Sequence, residues 1–198
     1  SFETTGNRAA YNFDRDIHIK KADGLTSERF IGMDMNVDYM SAVIACVYTD
    51  GTIHYYDEIR QSNSNTEAMS REMRKRWGLH PIFPDPAGKA RSTTSNRSDH
   101  QILKDNGFHV IARVAHPTQK DRLSALNRML LDAKDRVKMT IDPSCIYLIK
   151  DLEQVQRDKK GGIDKSNPEL SHMLDACSYY IEHKHPIVQR VGTSIAWN

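Results

Sequence analysis

The sequence predicts an α/β domain: a mixed sheet, its first three strands antiparallel, followed by strand–helix units and flanked by helices. Three observations carry this reading. Residues 30–59 hold three apolar runs of strand length, two of them joined through Asp50-Gly51, a pair that favours a tight two-residue hairpin turn. Beyond Ser64 the periodicity alternates between helical and strand-like. No internal repeat or low-complexity tract suggests a solenoid or a disordered arm.

The elements follow in order. Residues 1–28 are polar and lack periodicity, and are expected to be a lead-in or linker. Within it, Asp14, Asp16 and His18 alternate as metal ligands might be arranged, but a polar lead-in favours solvated side chains. The first strand is expected at about 30–36, the second over "SAVIACVYT" and the third over "TIHYYDEI". Ser64 and Glu67 form an S-x-x-E capping box for a helix with Met69, Met73 and Trp77 on one stripe, and Gly78 stands where it would stop. A short strand, "HPIF", runs into Pro84-Asp85-Pro86. A helix near 97–106, a strand "FHVIARV" and an amphipathic helix within 116–133 follow, the last with Leu123, Leu126, Met129, Leu130 and Ala133 on one face. Strand "VKMTI", a helix from about Ser144 to Gln154, a glycine- and lysine-containing loop at 157–167, and a final helix opening at Asn167-Pro168 complete the chain.

Bulk properties narrow the function. The 198 residues suffice for one domain with a sizeable core, and 38% hydrophobic against 27% charged is ordinary for a soluble fold. No apolar stretch approaches the roughly 20 residues that span a bilayer, and no signal-peptide pattern is visible. The chain opens Ser-Phe-Glu without Met, and is expected to be a piece of something longer. Cys46, Cys145 and Cys177 match no zinc spacing and read as buried, reduced core residues. A net charge of +2 excludes a uniformly basic nucleic-acid coat. The basic residues are clustered instead: Arg71, Arg74, Lys75 and Arg76; then Lys89, Arg91 and Arg97; then Arg157, Lys159, Lys160 and Lys165. Each is a candidate phosphate-binding face or simply solvated surface.

Three carboxylates stand out. Asp34 is set into the strand "FIGMDMNV", where desolvation of an unpaired charge is costly. Strand alternation puts it on one face with Phe30, Gly32 and Asn36, and Gly32 leaves space beside it. Asp85 ends a short apolar strand between two prolines, which stiffen its turn. Asp175 sits on the last helix, about 140° from the centre of the stripe formed by Leu170, Met173, Leu174, Cys177 and Ile181. Ser171 and Ser178 flank it there and leave it room. Taken singly, Asp85 reads as a turn residue and Asp175 as a solvent-facing one. Taken together, an acid in the first strand, one ending the fourth and one on a late helix converge in the ribonuclease H-like fold. Three hard oxygen donors would then suit Mg²⁺ or Mn²⁺ rather than zinc, and would supply Asp34 with its cation.

On these residues the chain resembles the nuclease domain of the large terminase subunit of tailed bacteriophages, of the podovirus headful-packaging type. The resemblance rests on "FIGMDMN" with Asp34, "IFPDPAG" with Asp85 and "ELSHMLDACSYYIE" with His172 and Asp175, and runs over about residues 29–186. It implies an endonuclease that cuts double-stranded concatemeric viral DNA at the start and end of packaging, using two divalent metals. By resemblance Asp34 would bridge both ions, Asp85 and Asp175 would each hold one, and Asp38 would be a secondary ligand. Lys159, Lys160 and the Gly161-Gly162 pair would lie over the scissile strand, and Lys89 and Arg91 are further DNA-contact candidates. The resemblance also implies a portal protein, a small terminase subunit and an ATPase domain of the same full-length chain as partners, in the cytoplasm of the infected host. A tail at 187–198 would reach the portal. The packaging ATPase is not visible here: "DPAGKAR" has Phe83 where a P-loop needs Gly and Ala90 where it needs Ser or Thr. Rival readings are another ribonuclease H-like nuclease (a resolvase or a hybrid nuclease, with Glu67 or Glu72 as its helix acid), a non-catalytic DNA- or portal-docking module, and a receiver-type signalling domain. The Asp50-Gly51 hairpin argues against the last.

Overall fold

The hairpin signal at Asp50-Gly51 nucleates the sheet of the computed structural model, which describes residues 5–90 and 96–187. β1 (Arg29–Asp34), β2 (Tyr39–Val47) and β3 (Ile53–Ser62) pair antiparallel, and two short strands, β4 (Ile82–Pro84) and β5 (Met139–Ile141), join the edges in parallel. The order is β4-β1-β2-β3-β5. The turn carries three residues rather than the two expected. Tyr48 N–H donates to Thr52 at 2.8 Å and Gly51 N–H to Tyr48 at 2.9 Å, with Gly51 at φ +83°. This left-handed glycine at the end of a three-residue loop keeps the right-handed strand twist.

Met40 to Cys46 of β2 are all buried because both sheet faces are covered. Phe30, Val43, Ala45 and Tyr55 face one apolar core with three helices, α4 (Gln119–Leu130), α5 (Ile146–Gln154) and α6 (His172–Lys184). Ile31, Met33, Ala42 and Ile44 face a second core with α2 (Thr66–Trp77) and α3 (Asp99–Asp105). Cys46, Cys145 and Cys177 are buried and free.

Several boundaries move for local reasons. The cap of α2 is Asn65, whose Oδ1 accepts from Ala68 N–H at 2.9 Å; Ser64 instead bonds Gln61, and Glu67 pairs with Arg71. The expected strand at 108–114 shrinks to a single bridge, Ile82 to Val110, because β4 is three residues long and Pro84 has no N–H to extend the ladder. α6 begins at His172, four residues beyond Pro168: Ser171 adopts φ +78° and the preceding residues form a turn.

The segment expected as a lead-in is strapped to the domain. Ala9, Ala10 and Phe13 are buried in the first core, Ala9 N–H donates to Val155, and Lys20 N–H donates to Ile141. In it, a single helical turn, α1 (Arg15–His18), is capped by Asp14, and the ring of His18 is buried with Nε2 bonded to the Leu130 carbonyl at 2.9 Å. His18 is therefore a satisfied core histidine rather than a solvated one.

Candidate active site

β1 and β4 run parallel with Met33 opposite Pro84, and Asp85 N–H donates to Met33 at 3.0 Å. Asp34 and Asp85 consequently leave neighbouring strands at the same end. Proline on both sides of Asp85 stops the ladder there, and its Oδ1 accepts from Ala87 N–H at 2.8 Å, capping the short 3₁₀ turn Pro86–Lys89.

The third acid arrives through a glycine. A Cβ on Gly32 would lie 2.2 Å from the Ala176 carbonyl oxygen, so only glycine lets α6 cross β1 this closely. Asp175, one residue earlier on α6, is thereby brought to the Asp34 end of the sheet. The space beside Gly32 is thus taken by helix backbone. Nor does Asp175 face solvent: residues 172–182 of α6 are all buried, because the helix is wedged between the sheet, α4 and α5.

All three acids line one cleft of about 410 Å³, together with Asp38, His116, Arg122, Lys165 and His172. Each faces a nitrogen. Asp34 Oδ2 is 3.0 Å from Nδ1 of His172, whose Nε2 bonds the Pro168 carbonyl at 2.8 Å and whose ring lies against Tyr39. Asp85 Oδ1 is 3.0 Å from His116 Nε2. Asp175 is held twice, through Oδ1 by Arg122 Nη1 at 2.8 Å and through Oδ2 by Lys165 Nζ at 2.5 Å. Arg122 is itself 2% exposed, bonds Ser178 Oγ at 2.8 Å and lies over the Tyr179 ring. Ser178 thus anchors the arginine rather than leaving room.

Electrostatics mark the acids as a repelling group. Burial, above all, raises the pKa of Asp34 above the usual carboxylate range; His172 opposes this, while the like charges of Asp175 and Asp85 add to it. Burial disfavours a charge on His172, but the bond to Asp34 outweighs it and the net shift is upward. For Arg122, burial is likewise outweighed by Asp175, and its pKa rises.

Hard carboxylate oxygens crowded into one partly open cleft are the donor set of Mg²⁺ or Mn²⁺, and their mutual repulsion is what a divalent ion would relieve. In the present arrangement, no three His, Cys, Asp or Glu side chains among the described residues are already grouped to grip an ion. The reason is visible in the contacts: each acid is turned toward its own internal nitrogen.

The other expected contacts spread out. Lys159 and Lys160 are exposed on a hairpin beside the cleft but do not line it; Asp158 accepts from Lys160 N–H and Gly162 N–H at 2.8 Å each, and Gln119 accepts from Ile163 N–H, pinning that hairpin. Lys89 bonds the Arg113 carbonyl and borders a separate hollow with His100. Arg91 and residues 188–198 of the expected tail lie outside the described residues. Sequence reasoning missed Arg122 and His116. The signal for Arg122 was present: it stands four residues before Leu126, at the edge of an apolar stripe where an unpaired guanidinium does not belong.

Residues 31–184 match the family described as the terminase RNaseH-like domain. Among solved structures, the P22 large terminase nuclease domain superposes with a TM-score of 0.66 at 15% identity, covering 89% of this chain and 93% of that one. The large terminase nuclease domain of bacteriophage SPP1, solved with bound Mn, gives 0.57 at 15% identity, covering 83% and 94%. The large terminase of bacteriophage HK97 gives 0.54 at 12% identity, covering 86% of this chain and 42% of that one. These are likenesses of fold. No curated protein matches the chain in sequence. With a family match over most of its length, the chain belongs to the terminase RNaseH-like domain family, and its mixed five-stranded sheet has the ribonuclease H-like form.

Proposed function

We propose that this member of the terminase family is a metal-dependent endonuclease acting on double-stranded DNA, and that it is the cutting part of a viral DNA-packaging motor. The observation that carries the reading is the convergence of Asp34, Asp85 and Asp175, from two adjacent parallel strand ends and a helix seated on Gly32, in one open cleft. A fold that packs only for stability does not gather three like charges at one point.

On this reading Asp34, Asp85 and Asp175 hold two divalent ions, Mg²⁺ or Mn²⁺, with Asp38 at the rim as an accessory ligand. The Mn bound in the SPP1 domain supports the choice of ion. Bound ions would supply Lewis acidity at the phosphate and acidify a water for attack. The chain's own residues do the positioning. His172 orients Asp34 through Oδ2 and is itself fixed by Pro168 and Tyr39, so the carboxylate presents a defined oxygen to the cleft. Arg122 does the same for Asp175 through Oδ1. Lys159 and Lys160, on the pinned hairpin, are placed to meet the phosphate backbone beside the cleft.

Residues 29–186 form the nuclease unit in this proposal. The ATPase domain, the small subunit and the portal are its partners in the packaging complex, in the cytoplasm of the infected host. Among the described residues no helix is long and apolar enough to cross a membrane.

The test is conversion of supercoiled plasmid at low salt with EDTA, Mg²⁺ or Mn²⁺, beside folded Asp34→Ala and Asp175→Ala variants. Metal-dependent linearisation lost in both variants is the expected result. Cutting that persists in both variants, or no cutting with either metal, would overturn the assignment.

A further inference from the structure

Asp175 is flanked by two cations of unequal freedom. Arg122 is buried, and its guanidinium is tied to Ser178 and stacked on Tyr179. Lys165 reaches in from the loop between α5 and α6, its side chain 46% exposed, and its ammonium is held only by Asp175 Oδ2 at 2.5 Å and Ser171 Oγ at 2.7 Å. A bidentate grip on Asp175 is closed to a metal by the arginine; the oxygen that remains is the one the lysine occupies. A divalent ion and an ammonium cannot share that oxygen, since like charges at contact distance repel strongly even under solvent screening.

We propose that Lys165 is a built-in counter-ion of Asp175, which a divalent metal must displace and which, once displaced, contacts the DNA phosphate at the mouth of the cleft. The inference rests on the metal-dependent reading above and assigns a positioning role to a residue outside the acid set. Three features support it. The lysine stem is long and half in solvent, so the ammonium can swing out without disturbing the core. The neighbouring rim residues of the same loop, Asn167 and Pro168, already border the cleft, so the released charge stays where a phosphate must pass. And Ser171, which accepts the second lysine bond, is held at φ +78° as the residue just before α6, so the docking point is built by the same turn that delivers His172.

The consequence is a pair of effects of opposite sign. Replacing the lysine by an isosteric neutral side chain frees Oδ2 and tightens metal binding, yet it removes a phosphate contact and slows cutting. The experiment is calorimetric titration of Mn²⁺ into metal-free wild type, Lys165→Met, Ser171→Ala and Asp34→Asn, followed by plasmid cleavage at saturating Mn²⁺. Lys165→Met is expected to bind Mn²⁺ roughly three- to tenfold more tightly, the range that loss of a half-exposed ion pair allows. Ser171→Ala shifts affinity the same way by less, and Lys165→Met cuts more slowly than wild type at saturation. If folded Lys165→Met binds Mn²⁺ no more tightly than wild type, while Asp34→Asn abolishes binding, the displacement is wrong and the metal site stands. If Lys165→Met binds more tightly but cuts as fast as wild type, the phosphate contact is wrong. If wild type itself binds no Mn²⁺, the metal reading and the lysine role fall together.

Discussion

Two pairs of buried carboxylates on this fold are stabilised in different ways. Glu58 on β3 accepts from Tyr147 and Leu148 N–H at 2.7 and 2.9 Å, and Asp151 on α5 accepts from Met173 and Leu174 N–H at 2.9 and 3.1 Å. Each thereby caps a helix, α5 or α6, that has no side-chain cap of its own. Asp34 and Asp175 are equally buried but are held by side chains, His172, Arg122 and Lys165. Backbone donors at a helix start are immovable and aligned with the helix dipole, so the first pair is locked. Side-chain donors can rotate away, so the second pair can exchange a nitrogen for another cation. Burial alone therefore does not distinguish a structural acid from a candidate ligand; the mobility of its partner does.

The largest expected effect sharpens that contrast. Asp34→Asn should lower metal-dependent plasmid cleavage by roughly 10³-fold or more. It should leave thermal stability unchanged or slightly raised, because burial already disfavours the charge that is removed. A parallel loss of melting temperature would mean that Asp34 belongs with the structural pair.

Glu58 offers a pH test of the other side. Burial pushes its pKa up to about 7, against the pull of the Tyr147 and Leu148 amides. Its folded-state value lies above the unfolded one, so the stability it contributes is complete below about pH 4.5 and is lost as pH rises through 7. Relative to Glu58→Gln, the wild-type domain should lose up to about 3 kcal/mol between pH 4.5 and 8, measured by urea unfolding across that range. A flat difference would show that the two amides keep the carboxylate ionised throughout.

His172→Asn keeps a donor near Asp34 but loses the brace to Pro168. Cleavage at saturating metal should fall about 10- to 100-fold, the usual cost of removing a group that orients a ligand. Asp151→Ala should do the reverse, costing about 1–2 kcal/mol in chemical unfolding through the lost cap of α6 while leaving Mn²⁺ affinity within a few-fold of wild type. If Asp151→Ala abolishes metal binding with the fold intact, the division between locked and exchangeable acids fails.

Short-range patterns made much of this legible in advance. Asp50-Gly51 announced the hairpin, the Met69–Met73–Trp77 spacing announced α2, and the Leu123–Leu126–Leu130 stripe announced α4. A charge inside "FIGMDMN" marked Asp34 for the same reason: an apolar strand and a carboxylate conflict within a few residues. Pro84 and Pro86 even explain why β4 stops at Asp85. Where the reading slipped, the competing influence was close by but subtler, as when Asn65 rather than Ser64 capped α2 or Ser171 rather than Pro168 opened α6.

Sequence alone therefore determined the order of the elements, the first three strands and the three acids as a set, because periodicity, turn conformation and proline restriction act over a few residues. Tertiary structure decided which nitrogen faces each acid. His172 lies 138 residues from Asp34 and Arg122 lies 53 from Asp175. It also decided that Gly32 serves helix approach, that Asp175 is buried and that Glu58 and Asp151 cap helices from afar. Contacts of that range are set by how the layers pack, and no local pattern encodes the distance across a sheet.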